Sequence, residues 1–349
     1  MNGELAERPS RRPYGLPDKG FTRRVRPVAR SVPRIVVQPW ARTETELVAM
    51  AEGLFRSQAQ ISPKYFYDAV GCALFGDICR LQEYYLTRTE AAIFAANRGQ
   101  IAARLPSMGQ WVDLGCGDGA KSQPWIAATH ARRFVGVDIA QACLTQAVGA
   151  MATRFPSTEC LGVVADLSLP IRLHDVLAER PAWPKTFFYP GSSLGNFMPS
   201  EALVLLQTIR AHLAHDEALL IGIDLVKAPA LLEAAYNDSL GVTAAFNRNV
   251  LRVVNRLLDA GFDLNGFEHS AKFVPQASCI EMRLHARTDQ VVPIGMAVRR
   301  FAAGETILTE CSHKYTVDRF RALLRAAGFS RHHLWTDAQG WFGVFLAQS

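Results

Sequence analysis

The chain has 349 residues, 49% hydrophobic and 20% charged, with a formal net charge of +6. That length allows about two domains and a substantial core, the balance is that of a globular protein, and no apolar run approaches the ~20 residues of a membrane span. Residues 1–35 hold nine Lys/Arg against three Asp/Glu, a surplus of six that accounts for the whole net charge and leaves the remaining chain near neutral.

Residues 1–39 are rich in Pro and poor in large apolar groups, and are expected to form a disordered basic leader without the apolar region of a secretory signal. A helix is predicted over 42–60, then a segment dense in Tyr and Phe over 65–85. Thr87-Arg88-Thr89-Glu90 reads as a cap into a helix over 91–105. From 110 the rhythm alternates strand and helix, with strands at 111–114, 134–137, 160–165, 186–189 and 218–225. That alternation predicts an α/β fold built on a doubly wound, mostly parallel sheet. Helices at 228–238 and 245–260 precede strands at 270–274, 280–286, 290–296 and 305–315. A helix at 317–327 and strands at 333–335 and 341–346 follow, the last pair expected to return to the sheet edge. The seven cysteines are scattered, odd in number and without a C-x-x-C pair, which points to reduced thiols in the cytoplasm rather than disulfides or zinc.

The string VDLGCGDG at 112–119, followed by FVGVD at 134–138, reads as strand, glycine turn, helix and strand with a terminal acid. Such a turn lets a ligand approach the backbone, and Asp138 is placed to accept from ribose hydroxyls. An adenosine-bearing cofactor follows. Ala120 stands where a pyrophosphate loop carries its third glycine, a weak departure, since alanine is sometimes allowed there. Asp113, in the strand, suits a cofactor with sulfonium and ammonium groups better than a pyrophosphate, so S-adenosylmethionine (SAM) is preferred over NAD or FAD. Ligands in such folds lie beyond the carboxyl ends of the strands. The loops there carry Lys121, Asp138, Asp166-Leu167 and PGSSLGN at 190–196. Methyl transfer to an amine needs alignment and desolvation, and no metal is required. A small polar amine would also need groups to hold it. Tyr65, Tyr67, Tyr84, Tyr85 and Tyr236 offer phenols, although aromatic residues are more often part of a core.

Five motifs in order, ISPKYFYD (61–68), EYYLTRTE (83–90), PGSSLGNF (190–197), GVTAAFNRN (241–249) and TECSHKY (309–315), together resemble the histidine-specific SAM-dependent methyltransferases. The resemblance runs from about residue 40 to the C-terminus. It implies a class I methyltransferase fold, with 101–227 and 316–349 forming the SAM domain and 40–100 and 228–315 an auxiliary substrate-binding domain. It also implies three methyl transfers to the α-amine of L-histidine, giving hercynine, in ergothioneine biosynthesis. By position, Gly115, Gly117, Lys121, Asp138, Asp166 and Leu167 would surround SAM. Tyr84, Asn196, Tyr236, Met282, Glu310 and Ser312 would surround histidine, with Asn196 and Tyr236 on the carboxylate and Glu310 and Ser312 on the imidazole. Tyr67 and Gly191 would lie near the amine, and Tyr67 and Asn196 would be the catalytic residues.

The expected partner is therefore a small molecule, not nucleic acid or membrane, and the chain is expected to act as a cytoplasmic monomer. Three alternatives stay open. One is a relative that methylates another amine, such as a prenylated tryptophan. Another is a nucleic-acid methyltransferase, which should carry an Asn/Asp-Pro-Pro-aromatic loop where this chain has Tyr189-Pro-Gly-Ser. The third is a SAM-binding protein without turnover.

Overall fold

The computed structural model describes residues 32–38 and 44–349. Its strands are β1 (Arg34–Val37), β2 (Ala59–Gln60), β3 (Gln110–Leu114), β4 (Arg133–Asp138), β5 (Glu159–Val164), β6 (Lys185–Tyr189), β7 (Ala218–Asp224), β8 (Phe267–Val274), β9 (Cys279–Ala286), β10 (Gln290–Ile294), β11 (Ala297–Phe301), β12 (Thr306–His313), β13 (Arg331–Thr336) and β14 (Phe342–Gln348). Its helices are α1 (Glu44–Phe55), α2 (Ala69–Ile78), α3 (Tyr85–Ala102), α4 (Gln123–Thr129), α5 (Gln141–Arg154), α6 (His174–Ala178), α7 (Pro199–Ala211), α8 (Pro229–Tyr236), α9 (Val242–Leu258) and α10 (Val317–Ala326). Among the described residues, no helix is long and apolar enough to cross a membrane.

The large sheet runs β1-β5-β4-β3-β6-β7-β14-β13. Its first six strands are parallel, and β14 enters antiparallel between β7 and β13. Every residue of β3 and β7 is buried, as expected for parallel strands covered by helices on both faces. This is the class I methyltransferase fold, and the last two strands do return to the sheet. The order reverses direction between β3 and β6, which opens a crevice at the carboxyl ends of the central strands.

A second sheet, β2-β12-β9-β8, stands beside the first, with the hairpin β10–β11 separate from both. Burial alternates along β9, so one face packs on a core and the other meets solvent. Helix α9 covers the buried face with Phe246, Val250 and Val254.

Three expectations change. The expected leader extended to residue 39, but Arg34–Val37 is a strand paired in parallel with β5. Its apolar side chains match the sheet edge, and a Cβ on Gly162 would lie 2.6 Å from Ile35 Cδ1. The rest of the leader, and the first residues of the helix predicted over 42–60, lie outside the described residues. Second, Thr87–Glu90 is not a cap: α3 begins at Tyr85, and Glu90 turns inward, 1% exposed. Third, the auxiliary unit expected over 40–100 takes in nearly all of α3, yet α3 packs on β14 and β13 of the large sheet.

Candidate active site

The glycine loop leaves β3 with Gly115, Gly117 and Gly119 all at positive φ. A Cβ on Gly115 or Gly117 would meet nothing within 4 Å, so open space lies before the loop. Asp138, at the end of β4, accepts from the backbone N–H of Gly117 at 2.9 Å and of Ala140 at 2.9 Å. The loop and the acid are thus fixed to each other. These residues fit SAM.

Other candidate cofactor residues are tied to the rest of the chain. Asp166 follows β5 and is buried. Its Oδ2 accepts from Lys64 Nζ at 2.9 Å, and its Oδ1 accepts from Ser168 N and Oγ. Leu167 beside it is half-buried against the apolar cluster on one face of the sheet. Lys121 Nζ lies 2.7 Å from Glu90 Oε2, while Glu90 Oε1 accepts from Gly191 N at 2.7 Å. Asp113 behaves differently from expectation. It is buried, accepts from Ser122 Oγ at 2.5 Å, and burial pushes its carboxyl up to about 7. Ser122 in turn accepts from Trp111 Nε1. Asp113 therefore braces the turn from within rather than offering a charge to a ligand.

Beside this cleft is a cavity, partly open to solvent, whose lining includes Tyr67, Tyr84, Gly191, Asn196, Tyr236, Met282, Glu310 and Ser312. The structure thus gathers in one place all eight residues predicted around histidine. Six segments bring them there: those before α2 and α3, the loop after β6, α8 with Tyr236, β9 and β12. Tyr67 precedes α2, whose start is capped by Asp68 accepting from Gly71 N at 2.8 Å, with Asn249 of α9 donating to the same oxygen. Tyr84 packs edge-on to Phe75 and Tyr236. Gly191 and Ser192 follow β6 in consecutive left-handed conformations, and the single-turn helix Ser193–Asn196 then carries Asn196. Strand β12 brings Glu310 and Ser312 opposite Met282 and Ile280 of β9.

The pairing of β12 with β9 shifts between Leu308 and Glu310. Buried Ile307 faces Leu284 on the inner side, so strict alternation would turn Thr309 and Cys311 inward. The bulge reverses the phase and aims Glu310 and Ser312 into the cavity. Thr309 holds it, its Oγ1 donating to Met282 O at 3.0 Å.

The cavity wall is polar and buried. Tyr236 and Ser312 share a hydrogen bond of 2.9 Å. Behind them Lys314 Nζ donates to Tyr236 Oη at 2.8 Å and Ser312 Oγ at 3.0 Å, and pairs with Asp224 Oδ2 at 2.9 Å. Asp224 also takes Tyr85 Oη at 2.8 Å and Lys227 Nζ at 2.6 Å. Burial pushes Glu310 up to about 7, with Lys314 opposing it. Burial, and then the charges of Glu310 and Asp138, raise Tyr67 well above an ordinary phenol, so it stays protonated.

Glu90, Asp224, Lys227 and the role of Lys314 were missed. Each is a charge that acts through tertiary contact, and the local signals were Glu90 at the end of the 83–90 motif and Lys314 within the 309–315 motif. Among the described residues, one group has metal-ligand proximity, Cys279, Glu281 and Cys311, with the three ligand atoms within 4.8 Å. It lies on the outer face of the β9–β12 pair, and Glu281 is already paired with Arg283. All seven cysteines are free.

Over residues 46–349 the chain matches the family described as histidine-specific methyltransferase, SAM-dependent. The chain belongs to that family. As a member of the family it is a SAM-dependent methyltransferase, with SAM as cosubstrate. It is 40% identical over 302 residues to histidine N-alpha-methyltransferase of Mycolicibacterium smegmatis, covering 84% of this chain and 92% of that protein. The protein of the same name from Mycobacterium tuberculosis is 37% identical over the same shares. Ergothioneine biosynthesis protein 1 of Schizosaccharomyces pombe is 26% identical over 82% of this chain but only 40% of its own length.

Proposed function

We propose that this family member transfers three methyl groups in succession from SAM to the α-amine of L-histidine, giving hercynine for ergothioneine biosynthesis. The observation that carries the reading is Glu310, a buried carboxyl that faces the cavity beside the Ser312 hydroxyl. An imidazole has two ring nitrogens, and one acceptor with one donor satisfies both. A ligand without that ring would strand Glu310 in a buried site, which is a strong basis for rejection.

In this reading Asn196 and Tyr236 hold the α-carboxylate, Tyr84 and Met282 form walls, and Tyr67 and Gly191 border the amine. SAM supplies a methyl carbon on a sulfonium, open to in-line displacement. The neutral amine nitrogen forms the new N–C bond with its lone pair as the S–C bond breaks toward sulfur. The first two products each lose a proton before the next transfer, and one more proton is lost overall, because the starting amine is an ammonium. Tyr67, held protonated, orients the nitrogen by hydrogen bonding and is not a phenolate base. The rings of Phe75 and Phe246 pack edge-on against Tyr67 and give the amine an apolar border. Free thiols throughout suit a reducing cytoplasm, and we propose that the chain works there as a monomer.

The test is purified protein with SAM and each of the twenty amino acids, read by mass spectrometry. Histidine should gain three methyls while the others remain unmodified. Comparable methylation of several amino acids would overturn the specificity.

A further inference from the structure

We infer that Lys314 is a positioning residue that fixes Tyr236 and Ser312 as hydrogen-bond donors toward the substrate, so that the imidazole is bound neutral. The inference rests on the proposed histidine reading and adds to it the protonation state and orientation of the ring.

Lysine ammonium has three donors and no acceptor. In this chain the three go to Asp224 Oδ2, Tyr236 Oη and Ser312 Oγ at 2.9, 2.8 and 3.0 Å, and the Lys314 side chain is fully buried. Burial alone would favour losing the proton, but Asp224 first, then Tyr236, hold Lys314 above the ordinary lysine range. Asp224 is itself clamped by Tyr85 and Lys227, and its backbone N–H donates to Ser192 Oγ at 2.9 Å. The ammonium therefore stays charged and stationary.

With Lys314 donating to both hydroxyl oxygens, each keeps one hydrogen of its own. Only one of those two hydrogens can lie in the 2.9 Å contact between Tyr236 and Ser312. At least one points away, and the cavity that both residues line is the remaining direction. A carboxylate at Tyr236 draws out the phenol hydrogen, and Ser312 is then free to donate to a ring nitrogen bearing a lone pair. The other ring nitrogen keeps its hydrogen and donates it to Glu310. A doubly protonated ring would set a donor against the Ser312 hydrogen and bring a second cation beside the Lys314 ammonium, which already donates to that hydroxyl.

The experiment compares histidine with a pyrrolylalanine, in which the ring's acceptor nitrogen becomes C–H. Wild type should prefer histidine by about 30-fold or more in kcat/KM. In Lys314→Met that preference should shrink to about threefold, while KM for histidine rises about 10- to 100-fold and the Kd for S-adenosylhomocysteine stays within about twofold. A folded Lys314→Met that keeps the full preference overturns the inference. Because breaking the buried Lys314–Asp224 pair can unfold the single variant, Lys314→Met with Asp224→Asn is measured beside it under the same criterion. Independently of folding, ring-15N histidine bound to wild type with S-adenosylhomocysteine should show one protonated and one bare nitrogen at neutral pH. An imidazolium signature overturns the inference. Wild type that does not methylate histidine defeats the underlying reading instead.

Discussion

Glu310 is a carboxylic acid held where water cannot solvate its charge, and burial pushes it up to about 7 against the pull of Lys314. Tyr67, Tyr84 and Tyr236 also face it, and all three phenols remain protonated, because burial raises each of them. Only the ionised form accepts from an imidazole N–H while leaving no proton in the way. Histidine affinity should therefore fall as pH drops through about 7, beyond what protonation of free histidine explains. Glu310→Gln should remove that excess dependence. Glu310→Ala should raise KM for histidine by about 100-fold with the S-adenosylhomocysteine Kd unchanged, as expected for losing a charge-assisted hydrogen bond. Loss of both would make the residue structural. Stability moves the other way with pH. The folded value lies above the unfolded one, so the acid's contribution is fully present below about 4.3 and is lost as pH rises through about 7. Glu310→Gln should consequently raise Tm at pH 8, by up to about 3 kcal/mol of stability, and change it little at pH 4. A thermal melt series across pH checks the sign.

At the scale of elements, the bulge in β12 decides which side chains face the cavity. Thr309→Val keeps the shape but deprives Met282 O of its donor, which should cost about 1 kcal/mol in denaturant unfolding. It should also raise KM for histidine while leaving S-adenosylhomocysteine binding intact. A variant that loses stability without any change in KM would separate the bulge from the site. At the opposite edge, β1 adds four parallel pairs and the Arg34–Glu179 ion pair. Glu179 also meets the buried Arg133 guanidinium at 2.5 Å. Deleting residues 1–38 should lower Tm by several degrees, with deletion of 1–31 as the control that separates strand from leader. The parallel core was legible in the sequence because strands such as ALLIGID at 218–224 are continuously apolar apart from their ends. The direction of β12 was not. Alternation counted from Ile307 assigns Thr309 and Cys311 inward, and a single bulged residue reverses the answer without a compositional mark. Strand β1 was hidden by its basic, proline-rich neighbours, and Glu90 by resembling a capping acid. Six of the eight cavity residues stand in the ordered motifs and two, Tyr236 and Met282, between them, a spread across 245 residues that no local periodicity could join.

Across the whole molecule, the glycine-loop cleft and the cavity beside it share one buried acid. Glu90 grips Lys121 beside the glycine loop with one oxygen and the backbone N–H of Gly191 in the cavity wall with the other. The fold makes room for it: a Cβ on Gly222 would stand 2.0 Å from Glu90 Oε1. A second tie, Lys64 to Asp166, links the Tyr-rich segment to the end of β5. A ligand that draws on Lys121 therefore changes the charge balance at Glu90, and that change reaches Gly191 through one carboxylate. Linkage requires any such effect to be reciprocal. Calorimetry should find that S-adenosylhomocysteine changes the histidine Kd by about fivefold or more, and that histidine changes the S-adenosylhomocysteine Kd by the same factor. Glu90→Gln keeps the hydrogen bond to Gly191 within reach but discharges the contact to Lys121, so both factors should collapse toward one. If the factor survives in Glu90→Gln, the two sites communicate by another route, and the Lys64–Asp166 tie becomes the next contact to break.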